Sequence, residues 1–326
     1  MIRWHYFPPL AAVLLAACAS APPLTEVRLV AKAFEDLDAA SAPLLDDLAV
    51  AERAQGRSNA QERARNHSGG SPAAAPAAAT TSTAAATAAA VTDRCPHVLE
   101  VTGAGGASVQ RGYCLDDSYY YSELADPPAT AAFRRSLAAV GDYTEVLVIL
   151  AEGRNIEAAQ AQLQSLAGNV GSTLELAGAT GIGTALSGFS AALQPVVALA
   201  AKRANARELA RNVKDVAPQA LAVIEQLRNT APTLFNTLTD QSLRGFQRVS
   251  EDAAKVRAGR IETYRGAIAN YVVLLDQYRQ LLTQLVASYD ENGRPTLAGL
   301  AERSAQLSAQ ADTWRRTFTA LRRGTD

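Results

Sequence analysis

The stretch from Ile261 to Tyr289 reads IETYRGAIANYVVLLDQYRQLLTQLVASY and carries the most regular pattern of the chain. Apolar and aromatic residues recur along it in alternating steps of three and four positions, which is the repeat of one helix face. A turn-like segment follows from Asp290 to Pro295, and the same rhythm then returns between Leu297 and Leu321. Because two helices joined by a short polar turn pack antiparallel, this stretch predicts a coiled-coil-like helical hairpin.

The two predicted helices differ in length. At 1.5 Å per residue, the first helix, counted from about Leu243, would be about 70 Å long and the second helix about 40 Å. The first half of the longer helix therefore needs other partners, and helical patterns between residues 130 and 230 supply them. The predicted fold class is all-α, an elongated antiparallel helical bundle over residues 130–326.

Tyr264, Tyr271 and Tyr278 fall on one face of the first helix of this hairpin. Such a ladder could bind a ligand. The preferred interpretation is structural, with the rings in the helix seam and the hydroxyls reaching the bundle edge for hydrogen bonds.

The segment from Leu176 to Ala201 contains no charged residue. By length it could cross a bilayer, but Gln194 and Pro195 interrupt it and its large apolar residues form a one-sided stripe. The pattern favours a buried core helix. Insertion into a membrane is the alternative.

The N-terminal region holds a second amphipathic pattern, which predicts a helix over residues 24–54 with a kink or restart at Pro43 and Ser41 as a possible cap. Its apolar face consists of Val27, Val30, Phe34, Leu37, Leu44, Leu48 and Ala51. Residues 55–94 lose this pattern and are rich in Ala, Thr, Ser, Gly and Pro. Such a composition buries too little apolar surface to offset the entropy of ordering, so a disordered linker is predicted.

The first 17 residues contain one basic residue, Arg3, and an apolar run from Leu10 to Ala17, as in an export signal. The run ends in Leu15-Ala16-Ala17-Cys18, which resembles the lipobox of bacterial lipoproteins. The resemblance implies that the signal peptide 1–17 is removed. It also implies that Cys18 then carries a diacylglyceryl thioether and an N-terminal acyl chain such as palmitate, which anchor residues 18–54 at a bilayer. By the sorting preference of lipoproteins in enteric bacteria, Ala19 implies the outer membrane, facing the periplasm.

Cys95 and Cys114 remain as an even pair, and in an oxidising compartment we expect them to form a disulfide. The bridge would close a small β-hairpin within residues 95–129 and contribute roughly 3 kcal/mol by loop-closure entropy. Tyr119, Tyr120 and Tyr121 follow the hairpin. They suit either an interaction surface or the packing of a loop onto a helix, and both interpretations stay open.

The composition offers little for catalysis. The chain has three histidines, which does not favour a His-based nucleophilic or zinc site. Its formal net charge of -1 does not favour a nucleic-acid partner. No phosphate- or dinucleotide-binding glycine motif is present, so no cofactor and no metal site is expected. A carboxylate-based cell-wall hydrolase or binder remains a weaker alternative.

These observations favour a non-enzymatic, lipid-anchored lipoprotein of the cell envelope that acts as a scaffold or interaction module. Its expected partners are the lipid bilayer, through Cys18, and another envelope protein. The alternative function is a membrane-active protein that inserts residues 176–201.

Overall fold

The computed structural model describes residues 24–68, 99–103, 106, 108–152, 156–176, 182–201, 206–244, 246–287 and 299–325. Over these ranges the chain is predominantly helical, with two short strands, so the all-α prediction is confirmed. The predicted signal peptide, the lipobox and Cys18 lie outside the described residues.

The first helix, α1 (Leu24–Ser68), runs without interruption for 45 residues. It passes Pro43 without the predicted restart, although Pro43 cannot donate a hydrogen bond to Ala39. The hydroxyl of Ser41 donates a 2.8 Å bond to the carbonyl of Leu37 inside the helix, so Ser41 is not a cap. Burial of apolar residues on both sides of the proline keeps the helix continuous.

The end of α1 corrects the predicted boundary. The helix was expected to stop at residue 54 and a linker to begin at 55, but residues 55–68 are helical. Residues 69–98, which hold the rest of the predicted linker, lie outside the described residues. The extension exists because this part of α1 packs against the segment that follows, through small residues that an apolar periodicity does not register.

That segment begins with an antiparallel hairpin of β1 (Leu99–Thr102) and β2 (Ser108–Arg111). Val101 and Val109 are paired across the two strands. A 3-10 turn at Leu115–Asp117 and the short helix α2 (Ser118–Tyr121) follow. We call residues 99–127 the head.

The remaining helices form the body around one hydrophobic core. They are α3 (Pro128–Glu152), α4 (Ile156–Leu176), α5 (Gly183–Ala201), α6 (Ala206–Asn229), α7 (Ala231–Leu243), α8 (Glu251–Ala287) and α9 (Leu300–Thr325).

The predicted long helix, counted from about Leu243, starts later in the structure and is correspondingly shorter. α7 ends at Leu243, and α8 starts eight residues later at Glu251. The hydroxyl of Ser250 accepts a bond of 3.4 Å from the backbone N–H of Ala253, and Glu251 and Asp252 lie in the first turn. A serine followed by acidic residues is a helix-start signal, and it outweighs the continuing apolar pattern here.

α8 and α9 pack against each other with opposite chain directions. The ring of Tyr264 lies 6.4 Å from that of Phe318, whereas the ring of Tyr271 lies 6.5 Å from that of Trp314. Residue numbers rise along one helix as they fall along the other. The predicted turn at residues 290–295 lies outside the described residues.

The three tyrosines of α8 lie in the core, as the structural interpretation predicts, but the hydroxyls of Tyr271 and Tyr278 do not reach the bundle edge, because both residues are fully buried. The hydroxyl of Tyr278 is 2.6 Å from that of Thr144, and the hydroxyl of Tyr264 donates a 3.2 Å bond to Asp47. Tyr271 has no hydrogen-bond partner within the described part of the chain. Burial raises the pKa of Tyr271 and Tyr278 well above the ordinary value, so both hydroxyls remain protonated.

The uncharged segment is divided between the end of α4 and α5, with residues 177–181 outside the described ranges. Its predicted stripe is buried, with Phe189 0% and Leu193 1% exposed. α5 packs on α4 and α6. Among the helices of the described ranges, none combines the length and apolar character that crossing a bilayer requires.

α1 also runs antiparallel to α3 and α8. Arg28 pairs with Glu152 at the end of α3, whereas Asp46 pairs with Arg134 near its start. The same reversal relates α1 to α8, because Phe34 packs on Tyr278 and Asp47 on Tyr264. The start of α1 therefore lies beside the end of α3, and the end of α1 carries the head.

Candidate interaction surface

Arginines on α1 hold the head in place. Arg53 donates hydrogen bonds of 3.0 Å to the carbonyls of Ser122 and Ala125. Arg63 pairs with Asp117, whose side chain is almost fully buried, and Arg65 pairs with Glu100 of β1 at 2.8 Å. These pairs connect α1 to the strand, the 3-10 turn and the loop that leads into α3. Hydrogen bonds to charged groups are stronger than neutral ones, so they fix the head on the helix.

Glu52 joins α1 to the start of α3. Its carboxylate accepts bonds of 2.9 Å from the backbone N–H groups of Ala129 and Thr130, and a third from the hydroxyl of Thr130. The first N–H groups of a helix lack intrahelical partners, and the helix dipole favours a negative charge beside them. Glu52 therefore caps α3 from another helix.

Small residues on α1 bring the head close. Gly56, Ala60 and Ala64 recur every four positions and are all buried. The ring of Tyr120 lies over Gly56 so closely that an added Cβ would stand 2.3 Å from ring carbons. Ala64 packs against Cys114. Sequence reasoning missed this face because alanine and glycine carry little apolar signal, although their repeat every four positions could have revealed it.

The predicted interaction surface, Tyr119, Tyr120 and Tyr121, is divided in the structure. Tyr119 and Tyr121 are exposed, whereas Tyr120 is half-buried against α1. Burial, aided by the nearby charge of Glu52, raises the pKa of Tyr120. Of the two open interpretations, loop packing describes Tyr120, and an interaction role for the exposed Tyr119 and Tyr121 stays a prediction.

Other large apolar side chains of the head are exposed as well. Leu124 is 98% and Leu115 80% exposed, and the exposed set also includes Val101, Val109 and Tyr113. Scattered exposed apolar residues are ordinary on a protein surface, but here seven of them, counting Tyr119 and Tyr121, lie within one short segment. We call these seven residues the head surface.

A cavity of about 280 Å³ lies beneath Tyr120, between α1, α3 and α7. Leu48, Phe133 and Leu234 give it an apolar wall, and polar side chains including Glu52 and Asn59 complete the lining. The carboxylate of Glu52 accepts hydrogen bonds from the first turn of α3, so it is not available to bind a ligand in this cavity.

The chemistry-bearing residues do not form a reactive cluster in the part of the chain that the structure describes. No group of three or more His, Cys, Asp or Glu residues lies close enough there to hold a metal ion. Asp46 and Asp47, adjacent on α1, pair with different arginines, Arg134 and Arg322. Cys114 is buried, and Cys95 lies outside the described residues, as does Cys18.

Comparison with known proteins adds no relative: no family model, no curated protein and no solved structure matches the chain.

Proposed function

We propose that this chain is an exported, lipid-anchored protein of the bacterial cell envelope, whose helical body presents the head surface to another envelope protein. In this proposal Cys18 carries the acyl chains after removal of residues 1–17, and the protein sits at the outer membrane facing the periplasm. The role is structural and non-enzymatic. The lipobox-like Leu15-Ala16-Ala17-Cys18 supports the anchor.

One observation carries the proposed role: the apolar residues of the head are exposed although the head itself is firmly held. Leu115 and Leu124 are solvent-exposed, whereas Glu100 and Asp117 of the head form ion pairs with arginines of α1. A segment held in one conformation loses little entropy when a partner binds, which favours recognition.

The position of the head supports the same role. α1 starts six residues after Cys18 and its 45 residues extend for about 65 Å. The anchored end is the start of α1, and the head contacts its second half. In an elongated antiparallel bundle, which we take the body to be, the head surface would face away from the bilayer that holds Cys18.

We also propose that Cys95 and Cys114 form the disulfide expected from the sequence. A two-stranded hairpin is marginally stable alone, and a bridge would close it at its base. Alkylation of the unfolded protein before and after reduction tests this. The proposal expects two additional labelled cysteines after reduction, whereas labelling of both before reduction would contradict it.

Site-specific photo-cross-linking in intact cells tests the interaction role. A photoreactive residue at Tyr121 should give a discrete adduct with one envelope protein, and the adduct should disappear when Leu124→Asp is added. The matched control is the same photoreactive residue at exposed Glu302, at the other end of the body. Adducts of equal yield at both positions, or no adduct at Tyr121, would contradict the proposed role.

A further inference from the structure

A second surface lies on the body, in an open groove of about 540 Å³ between α8 and α9. Its floor contains Leu274, Ala309 and Trp314. Its other lining residues are Asn270, Val273, Gln277, Gln306, Gln310, Thr313 and Thr317. The volume lies in the range of small-ligand pockets.

Charged side chains are absent from this lining within the described ranges, although both helices are rich in them. Asp312, next to the groove in sequence, pairs with Arg315 and Arg316 at 2.8 Å. Asp276 pairs with Arg228 of α6. The groove is thus a neutral surface between charged ones, which disfavours an ionic ligand.

The groove is also poorly suited to a docked helix. Helix docking uses large apolar anchors that are exposed before binding. Among the lining residues only Val273 is a large apolar side chain with substantial exposure, at 50%. Leu274 and Trp314 are almost fully buried in the floor. The polar groups that a ligand would meet are amides and hydroxyls, set on a lining that is mostly apolar.

We propose that this groove binds a neutral oligosaccharide of N-acetylated sugars. Each carboxamide of Asn270, Gln277, Gln306 and Gln310 offers both a donor and an acceptor, which matches sugar hydroxyls and acetamido groups. The apolar floor suits the methyl and ring C–H groups of such a sugar.

Trp314 adds a second observation. Its side chain lines the groove, and its indole N–H is buried and has no acceptor within the residues described. A buried donor without a partner is unfavourable, so a sugar oxygen that reached this N–H would form a hydrogen bond that the free protein lacks.

The inference is independent of the head surface and of the anchor, so it can fail or succeed without them. Trp314 provides the signal for its test, because the chain has only two tryptophans. In the full chain carrying Trp4→Phe, Trp314 is the only tryptophan, so all tryptophan emission comes from the groove residue. Titration with tri-N-acetylchitotriose should then give a saturable change of tryptophan emission.

Variants of the lining separate groove binding from other effects. Gln277→Leu, at a half-buried position, and Gln306→Leu, at an exposed one, should each weaken binding by about two- to tenfold, the range that corresponds to loss of one hydrogen bond. Gln280→Leu, on the same helix but outside the groove, should leave the affinity unchanged. Circular dichroism should show equal helicity in all three variants.

Several results would overturn the inference. The first is the absence of a saturable change up to millimolar sugar. The second is an equal response to maltotriose, which lacks acetamido groups. The third is an emission that depends on protein concentration without sugar, since that would assign the groove to a second copy of the chain.

Discussion

Glu52 shows how much one side chain can do in this fold. It is 9% exposed, and its carboxylate accepts three hydrogen bonds from the first turn of α3. Glu52→Ala removes the acceptor and leaves two backbone donors and a hydroxyl unpaired. We expect the free energy of unfolding to fall by about 2–3 kcal/mol, measured by urea denaturation.

The control for this change lies on the same helix. Glu62 is exposed, so Glu62→Ala should change the free energy of unfolding by less than ~0.5 kcal/mol. If the two variants lose stability equally, Glu52 does not cap α3 in the way described.

Asp47 gives a prediction about pH. Burial raises its pKa above the usual 3.8, although Arg322 and the hydroxyl of Tyr264 favour its charged form. A raised folded-state pKa means that the folded protein binds the proton more tightly, so this group's contribution to stability falls as pH rises from the unfolded pKa through the folded one. Asp47→Asn should therefore be less destabilising at pH 7 than at pH 3.5.

The measurement is chemical denaturation of both proteins at the two pH values. Asp312→Asn provides the comparison, because Asp312 is half-buried and pairs with arginines of its own helix. A larger loss of stability for Asp47→Asn at pH 7 than at pH 3.5 would show that ion pairing, rather than burial, dominates at Asp47.

Individual core residues were predictable where they are large. The stripe containing Leu186, Phe189 and Leu193 is buried as its spacing predicts, because a large apolar side chain gains most from burial on one helix face. The contact of Tyr120 with Gly56 was not predictable in this way. It depends on a tertiary approach between segments 64 residues apart, and neither residue belongs to an apolar repeat.

At the scale of elements, the second half of α1 is the main departure from the sequence prediction. Its packing face consists of Gly56, Ala60 and Ala64, and its arginines supply directed contacts to the head. Such a face gains stability from close approach and hydrogen bonding more than from apolar area. Apolar periodicity alone therefore ends the helix too early.

This face gives a prediction for two glycine variants. Gly56→Ala places a Cβ within 2.3 Å of the Tyr120 ring, so the ring must move, and we expect a loss of about 1–3 kcal/mol. Gly266→Ala on α8 meets nothing within 4 Å and should stabilise the protein by about 0.5–1 kcal/mol, through better helix propensity.

Thermal unfolding of the two variants and the parent protein provides the measurement. The opposite signs matter more than the sizes, because both changes add the same methyl group to a helix. Stabilisation by Gly56→Ala would mean that the head does not pack on α1 at Tyr120.

For the whole molecule, the fold class followed from the sequence more readily than its partition into helices. The α8–α9 pairing was predicted because large residues repeat without a gap on both helices. The start of α8 was predicted about eight residues too early, because an apolar pattern continues across a local start signal at Ser250. Global patterning thus identified which helices exist, and local capping decided where they begin.

The proposed anchor precedes the start of α1, whereas the head packs near the end of α1. The start of α1 lies beside the end of α3, where Arg28 pairs with Glu152, and the head packs on the last turns of α1. A lipid at Cys18 would therefore hold the start of α1 near a bilayer, with the head near the other end of that helix.

Intact-mass analysis of the protein extracted from bacterial membranes tests this attachment most directly. We expect a chain that begins at Cys18 and carries the added mass of a diacylglyceryl group and one further acyl chain. A chain that retains residues 1–17, or one that begins at Cys18 with an unmodified thiol and amine, would contradict it.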